Sequence, residues 1–596
     1  MALGNISGIA YVVPDDPGHP TVTPEDTKGI AKSIVARLRE WGLHLTERVD
    51  TLAARVDAIA GAVGLAPGSP DDSAVSAFIL DSSSRTRTAV DSVVDSAMRP
   101  ILDTGPVHIS RFGAKGNGVA DDTDAFHAAA AAAAAAGVPL VIPAGVSIGI
   151  SSYKRLPDGL TMYTNGSTFQ QLVPMGRAPV ISLGPRSTVV GGLRVQTLGG
   201  DECQGVQVAD APDCSIDVVD VRSDVPGAGS GNHRDAALMI ARSPHARIGR
   251  VVVDGYDWPV VVEDSDDTRL GWMSIRTYCR AILVRDSARV YIGPGLVTGQ
   301  SANARYAPGY NGLLLEVVKP GTGDGLVVDR LVVEDSGEHG FRIGGKETVA
   351  HTTFLHCTAR RTGGTGFKTL PGPGGVEGNS VRAAGVILDH CTVEDAGQIN
   401  RNTCGFLIQR ADDVRITAPI IRKKDRAYSC VEGLRMSGVR RARVTGASIR
   451  DTFQYGVHVD AEYGNVEDLH IDGEIKTDSG QGIHLWNSGV RYRHITLDMF
   501  VENTASGGSA FYAGPGSGAA DTGTWAGVNK LRLTISESTP AESAINRNSS
   551  DTALGAFFAE VTGRRGGDPA FRGGSTWMDT RLDTFQVRRA NVWETV

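Results

Sequence analysis

The chain has 596 residues, 74 of them glycine, and 59 Lys and Arg stand against 67 Asp and Glu for a formal net charge of −8. That length exceeds what one ordinary hydrophobic core serves, so several domains or a solenoid are expected. The acidic balance argues against nucleic acid or an anionic membrane surface as partner, and no apolar run nears the ~20 residues of a membrane span.

Residues 1–27 are rich in Pro, Asp and Gly (Val13-Pro-Asp-Asp-Pro-Gly-His-Pro) and read as an extended arm that orders only against a partner. The start, Met1-Ala-Leu-Gly-Asn, lacks a basic stretch followed by an apolar one, so no signal peptide is expected. Residues 28–104 form a helical and linker region. Its apolar positions run Ile34, Leu38, Trp41, Leu45, Val49, Leu52, Val56, Ile59, Val63, a coiled-coil seam with one stutter between Leu45 and Val49. Glu47, Arg48, Asp50, Arg55 and Asp57 occupy the outer faces, which favours self-association. Ala66-Pro-Gly-Ser-Pro ends this helix, and a second helical stretch runs from about Ser73 to Met98 before Pro100.

From residue 105 the pattern changes to short apolar strands and turns. The opening, Phe112-Gly-Ala-Lys-Gly-Asn-Gly-Val-Ala-Asp-Asp-Thr, places Asp121, Asp122 and Thr123 at the start of an alanine helix (Ala128 to Ala136). Acidic and hydroxyl groups there satisfy free amides, and the small alanine face suits a lid over an open solenoid end. A segment of the form Gly/Ala–apolar–x–apolar then recurs roughly every 20 to 40 residues, the range of solenoid coils. Its starts are Gly205, Ala237, Pro259, Ala281, Gly312, Gly340, Gly366, Gly405, Gly433, Gly456, Gly482 and Ser509. One coil cannot bury its own apolar face, so stacked coils must build the core. The fold class expected is all-β: a right-handed parallel β-helix over 105–540 with a capping helix, followed by a C-terminal β-rich cap over 541–596.

The 112–123 run, the alanine helix and Val141-Ile-Pro-Ala-Gly resemble the N-terminal signature of the pectate-lyase-like β-helix superfamily, with Lys-Gly-Asn-Gly where Lys-Gly-Asp-Gly is usual. That superfamily includes polygalacturonases, pectate lyases and bacteriophage tailspikes. The arm and coiled coil ahead of the β-region resemble the layout of phage tailspikes and minor tail proteins. The resemblance implies a homotrimer in the virion tail that docks on other tail proteins through its N-terminus and meets a host cell-envelope glycan with its β-helix. The scaffold carries hydrolases, lyases and pure binders alike.

Seven cysteines without a Cys-x-x-Cys pair indicate neither a zinc site nor a disulfide framework, and Cys357 and Cys391, each in a His-Cys-Thr triplet, read as a buried thiol ladder. No metal or other cofactor is implied. An Asp-containing turn precedes many repeat starts, and Asp335, Asp395, Asp425, Asp451 and Asp478 align in it as one column. Neighbours in a column stand ~5 Å apart and next-neighbours ~10 Å, separations that bracket the two glycosidase geometries. Asp at a turn start also serves its own backbone. Asp425 and Asp451 are favoured as catalytic carboxylates, with Asp395 beside them, because Arg426, Tyr428, Phe453, Gln454 and Tyr455 supply the polar forks and aromatic faces that suit a sugar. Glu338 and His339, with Arg342 and Lys346, form a second catalytic candidate. Uronate lyase chemistry needs a base and a charge neutraliser, which His339, Arg342, Lys368, Lys423, Lys424 and Tyr428 would supply. Insertions at 223–235, 298–311 and 514–528 interrupt the coils, and the middle one offers Asn303, Arg305, Tyr306 and Tyr310 for glycan contact or subunit packing. Two functions stay open: a depolymerase and a receptor-binding protein without turnover.

Overall fold

The computed structural model describes residues 105–596 apart from 200–203, 225–234, 277–279, 300–309, 371–380, 398–402, 426–429, 453, 461, 479, 487–490, 505–507, 515–523, 537, 540–544, 546–553, 555, 564–574, 580–583, 590–591 and 596. The arm, the coiled coil and the second helical stretch lie outside the described residues. Contacts divide the chain into two units, Met1–Asp103 and Thr104–Val596. The second is a stack of parallel β-coils.

Thirteen strands, from Pro179–Leu183 to Ser509–Gly514, form one sheet in strict order along the stack, and a 33-stranded sheet carries the other faces. Each of the twelve repeat starts lies in a strand of the smaller sheet or immediately before one. Pro179–Leu183 is a thirteenth that the Gly–apolar pattern does not mark. Inward positions stack like on like: Phe341, Phe367 and Phe406 lie face to face at 4.5 Å and 4.9 Å, with Phe354 edge-on at 5.5 Å to Phe341. Cys357 and Cys391 are buried free thiols in successive coils, and burial pushes the Cys391 thiol up.

The repeat glycine has a packing reason. A Cβ at Gly205, Gly312, Gly366, Gly405, Gly433, Gly456 or Gly482 would lie 2.2–2.8 Å from a Val or Ile methyl of the larger sheet. It would also meet a carbonyl oxygen of the next coil at 2.6–2.8 Å. The chain therefore turns its corner with the glycine facing inward, and the residue before each glycine faces out.

Helix α1 (Thr123–Ala136) buries Phe126, Ala129, Ala130 and Ala133 over the first coils, with Phe126 edge-on to Phe169 at 5.3 Å. Its amides are served by Asp121, whose carboxylate accepts from the Thr123 N–H (3.1 Å) and hydroxyl (2.6 Å). Asp122 instead reaches back to accept from the Lys115 and Gly116 amides at 2.6 and 3.0 Å, pinning the glycine-rich turn. At the other end, parallel pairing continues past residue 540 through Phe557–Gly563 to Thr576–Asp579, after which two antiparallel strands close the sheet.

Candidate functional site

Eight consecutive strands of the smaller sheet carry the densest set of outward polar and aromatic groups. They are β1 (Leu313–Val317), β2 (Phe341–Gly345), β3 (Phe367–Thr369), β4 (Thr403–Gln409), β5 (Cys430–Ser437), β6 (Tyr455–Asp460), β7 (Gln481–Trp486) and β8 (Ser509–Gly514). Register fixes a middle column of Leu314, Arg342, Lys368, Leu407, Arg435, His458, His484 and Tyr512. Beside it run Cys404, Glu432, Tyr455, Gln481 and Ser509 on one edge and Gln409, Ser437 and Asp460 on the other.

The first cluster sits on β2 and β3. Glu338 Oε1 is 3.3 Å from His339 Nε2, and Glu338 Oε2 is 3.6 Å from Arg342 Nη1. His339 Nε2 is also 3.2 Å from Lys368 Nζ, while its Nδ1 accepts from the Thr365 amide at 3.1 Å. Burial, together with the neighbouring Lys368 and against the pull of Glu338, lowers His339 to about 4, so it is neutral at physiological pH. Desolvation and the repulsion of Arg342 also lower Lys368.

The second cluster spans β4 to β8. Glu432 Oε1 is 2.6 Å from His458 Nδ1, and Glu432 Oε2 accepts from the Cys404 thiol at 2.9 Å. Arg435 joins three carboxylates: Asp460 at 2.5 Å, Glu462 at 2.6 Å and Glu432 at 3.7 Å. Asp460 also accepts from the Ser437 hydroxyl. Burial opposes the Glu432 charge, yet His458 and Arg435 hold its carboxyl below the ordinary value, so it stays ionised. The His458 and His484 rings stack at 4.8 Å with 6° between planes. Tyr455, Tyr512 and Trp486 surround His484 at 4.3, 4.9 and 5.9 Å. Desolvation pulls His484 down to about 3.

The sequence-predicted residues divide among several places. Glu338 and His339 lie in the first cluster and Tyr455 in the second, with exposed Gln454 bonded to the Tyr455 hydroxyl at 2.9 Å. Tyr310 lies under Arg280, 4.9 Å from ring centroid to guanidinium carbon, and its carbonyl accepts from the Glu338 amide. Asn303, Arg305, Tyr306, Arg426, Tyr428 and Phe453 are outside the described residues.

The aspartate turn does not stack coil on coil. In register, Glu334, Arg360, Glu394, Arg422, Arg450 and Lys476 succeed one another. The residues that follow the first four are Asp335, Arg361, Asp395 and Lys423, so a cation separates aspartates in adjacent coils. Arg361 bonds Asp335 in a two-pronged contact at 2.8 Å. Asp395 is buried and accepts from the Lys424 and Asp425 amides at 2.7 and 2.9 Å. Asp425 lies beyond the column, two residues past Lys423, while Asp451 sits at a register shift; both are exposed. Asp335, Asp395 and Asp451 hold φ of 54°, 54° and 58°, the left-handed turn conformation that Asp tolerates.

Sequence reasoning missed Glu432, Arg435, His458, Asp460 and His484. The signal was present: reading down the residue before each glycine and the x of each repeat gives Glu432 with Arg435, Tyr455 with His458, and Gln481 with His484. Among the described residues no group of three or more His, Cys, Asp or Glu could hold a metal ion, and no helix is long and apolar enough to cross a membrane.

No protein-family model matches the chain, and no curated protein matches it. Among solved structures it is similar to the N-terminal fragment of bacteriophage Phi29 gene product 12 (12% identity over 81% of this chain and 85% of that one, TM-score 0.45). It is similar to the Dettilon tailspike protein (13%, 76% and 70%, TM-score 0.38). The tailspike protein of E. coli bacteriophage HK620, solved in complex with a pentasaccharide, is similar at 12% identity (80% and 81%, TM-score 0.39). With every TM-score below 0.5, the functional reading rests on the chemistry of the groove.

Proposed function

We propose that this chain is a phage tail-associated protein whose β-helix recognises a host cell-surface polysaccharide. The observation that carries the reading is the outward face of β2 to β8. Charged, hydrogen-bonding and aromatic side chains lie there in register on a rigid ladder, matching the hydroxyl edges and apolar faces of sugars. Glu432 is held ionised and the His484 imidazole is neutral, so this end of the face offers an acceptor and flat rings, and Glu432 is not an acid there. Recognition without turnover is the function it supports best. The coils wind right-handed, the sense that parallel crossovers take. The heptads of residues 34–63 support a homotrimer, and the Pro- and Asp-rich arm supports attachment to other tail proteins, in keeping with a protein of the virion tail that acts outside the cell.

A hydrolytic second reading has one observation in its favour. Asp395 anchors the backbone of Asp425 on the same edge that carries Asp451, so Asp425 and Asp451 are the carboxylates that hydrolysis would use. Incubating the protein with envelope polysaccharide, following reducing ends and unsaturated-uronate absorbance together with binding, separates the cases. Saturable binding without either product is expected. Reducing ends abolished by Asp425→Ala with Asp451→Ala would establish a hydrolase, and both signals rising would establish a lyase with His339 and Lys368 at its centre. Absence of binding to any envelope glycan would overturn the reading itself.

A further inference from the structure

We infer that the ring cluster of Tyr455, His458, His484, Trp486 and Tyr512 is a subsite for one neutral, hydroxyl-bearing sugar ring. The inference rests on the polysaccharide reading and names the kind of residue that this part of the groove takes. His484 is 2% exposed, and neither of its ring nitrogens has a hydrogen-bond partner among the described residues. His458 gives Nδ1 to Glu432, and its Nε2, 3.9 Å from Asp460 Oδ2, has no hydrogen-bond partner among the described residues. Buried polar atoms of this kind are disfavoured and are rare in native structures unless something completes them. Three such nitrogens on two stacked rings are thus one unfinished hydrogen-bonding surface.

Chemistry narrows what finishes it. A neutral imidazole presents one donor and one acceptor, the complement of a hydroxyl, which both gives and takes a hydrogen bond. The half-buried Tyr455, Tyr512 and Trp486 offer flat faces to the C–H side of a ring and must turn aside to admit it. Charge excludes acidic sugars: Glu432, Asp460 and Glu462 gather around the guanidinium of Arg435, leaving an excess of carboxylate beside the ring cluster. An anionic ring would meet that excess in a poorly solvated place.

The test uses the full-length protein and three hexamers: neutral (cellohexaose or chitohexaose), uronate (hexagalacturonate) and cationic (chitosan hexamer), with affinity read by calorimetry. His484→Phe keeps the ring and the stack but removes both nitrogens. It should weaken a neutral hexamer at least tenfold while the melting temperature stays level or rises, because two unpaired polar atoms become carbon. In a second measurement on the unaltered protein, the neutral hexamer should shift the ring-nitrogen resonances of His458 and His484. A neutral hexamer that binds with unchanged affinity to the variant and moves neither resonance would overturn the subsite alone. Preference for the uronate or cationic hexamer, lost in His484→Phe, would overturn the neutral assignment. A variant that unfolds would hand the decision to the resonances. No binding by any hexamer, with binding to envelope polysaccharide retained, would overturn the subsite alone, and no binding to either would overturn the glycan reading with it.

Discussion

Two arginines with equally tight bonds show how burial sets what an ion pair contributes. Arg242 holds Asp210 at 2.6 and 2.7 Å, yet both side chains are more than half exposed. Arg435 holds Asp460 at 2.5 Å with the carboxylate side chain only 5% exposed. Arg242→Met should cost about 0–1 kcal/mol, as exposed pairs do. Arg435→Met leaves Glu432 and Asp460 buried and facing each other without their cation, and should cost about 3–5 kcal/mol. Urea denaturation of the two variants checks the contrast, and equal losses would contradict it. The buried histidines give stability a pH slope. His484 and His339 sit at about 3 and about 4, below the ordinary 6.5. Between those values the unfolded chain binds protons that the folded one refuses, so stability is full above about 6.5 and falls as pH drops. Glu432, also lowered, acts in the same direction at lower pH, its contribution present above the unfolded carboxyl value and lost as pH falls through the folded one. The urea midpoint should therefore fall between pH 7 and pH 4.5, and more shallowly in His484→Phe. An unchanged slope in that variant would mean that His484 is not the buried neutral group described.

At the scale of the strand, the repeat glycine is fixed by space. A Cβ at Gly433 would stand 2.6 Å from Ile449 Cγ2 and 2.6 Å from the Gly456 carbonyl oxygen. A side-chain neighbour can give way, whereas the carbonyl belongs to the ladder. Gly433→Ala should thus lose about 1–3 kcal/mol, as overpacked cores do. Adding Ile449→Ala should fail to restore it, since the carbonyl stays and a cavity is added. Thermal unfolding of the single and double variants decides this, with full rescue pointing to the methyl as the sole obstacle. The same spatial rule explains what was legible. Eleven of the smaller sheet's strands announce themselves because the corner favours a small residue before an apolar pair, and Pro259 marks a twelfth. Pro179–Leu183 escaped because register puts Val180 at the corner that Gly205 takes in the next coil, so no small residue precedes its apolar pair. The aspartate column was legible only as a turn: similar turn residues recur while the register behind them slips, so Arg361 falls between Asp335 and Asp395. Which side chains share the groove depends on that register, and spacing of 20 to 40 residues does not encode it.

For the whole stack, one face is self-neutralising and the other is not. Along the larger sheet Glu334, Arg360 and Glu394 bond in sequence, and Lys424 closes on Glu394 at 2.9 Å. Such a ladder leaves little charge for a partner to read. The groove instead changes character along its axis, from Arg342 and Lys368 on β2 and β3 to the carboxylates, imidazoles and aromatic rings of β5 to β8. Eight strands at the sheet spacing extend over roughly 34 Å. A polysaccharide lying along that axis adds contacts with each sugar until the groove is filled, whereas one lying across the strands meets a single coil or two. Affinity for a size-fractionated polysaccharide that binds should therefore keep rising with length until the oligomer spans about 34 Å, and the gain should come mainly as slower dissociation, since interface differences act mostly on that rate. Surface plasmon resonance across the length series measures both. A plateau already at the disaccharide would place the ligand across the strands and confine recognition to one end of the groove.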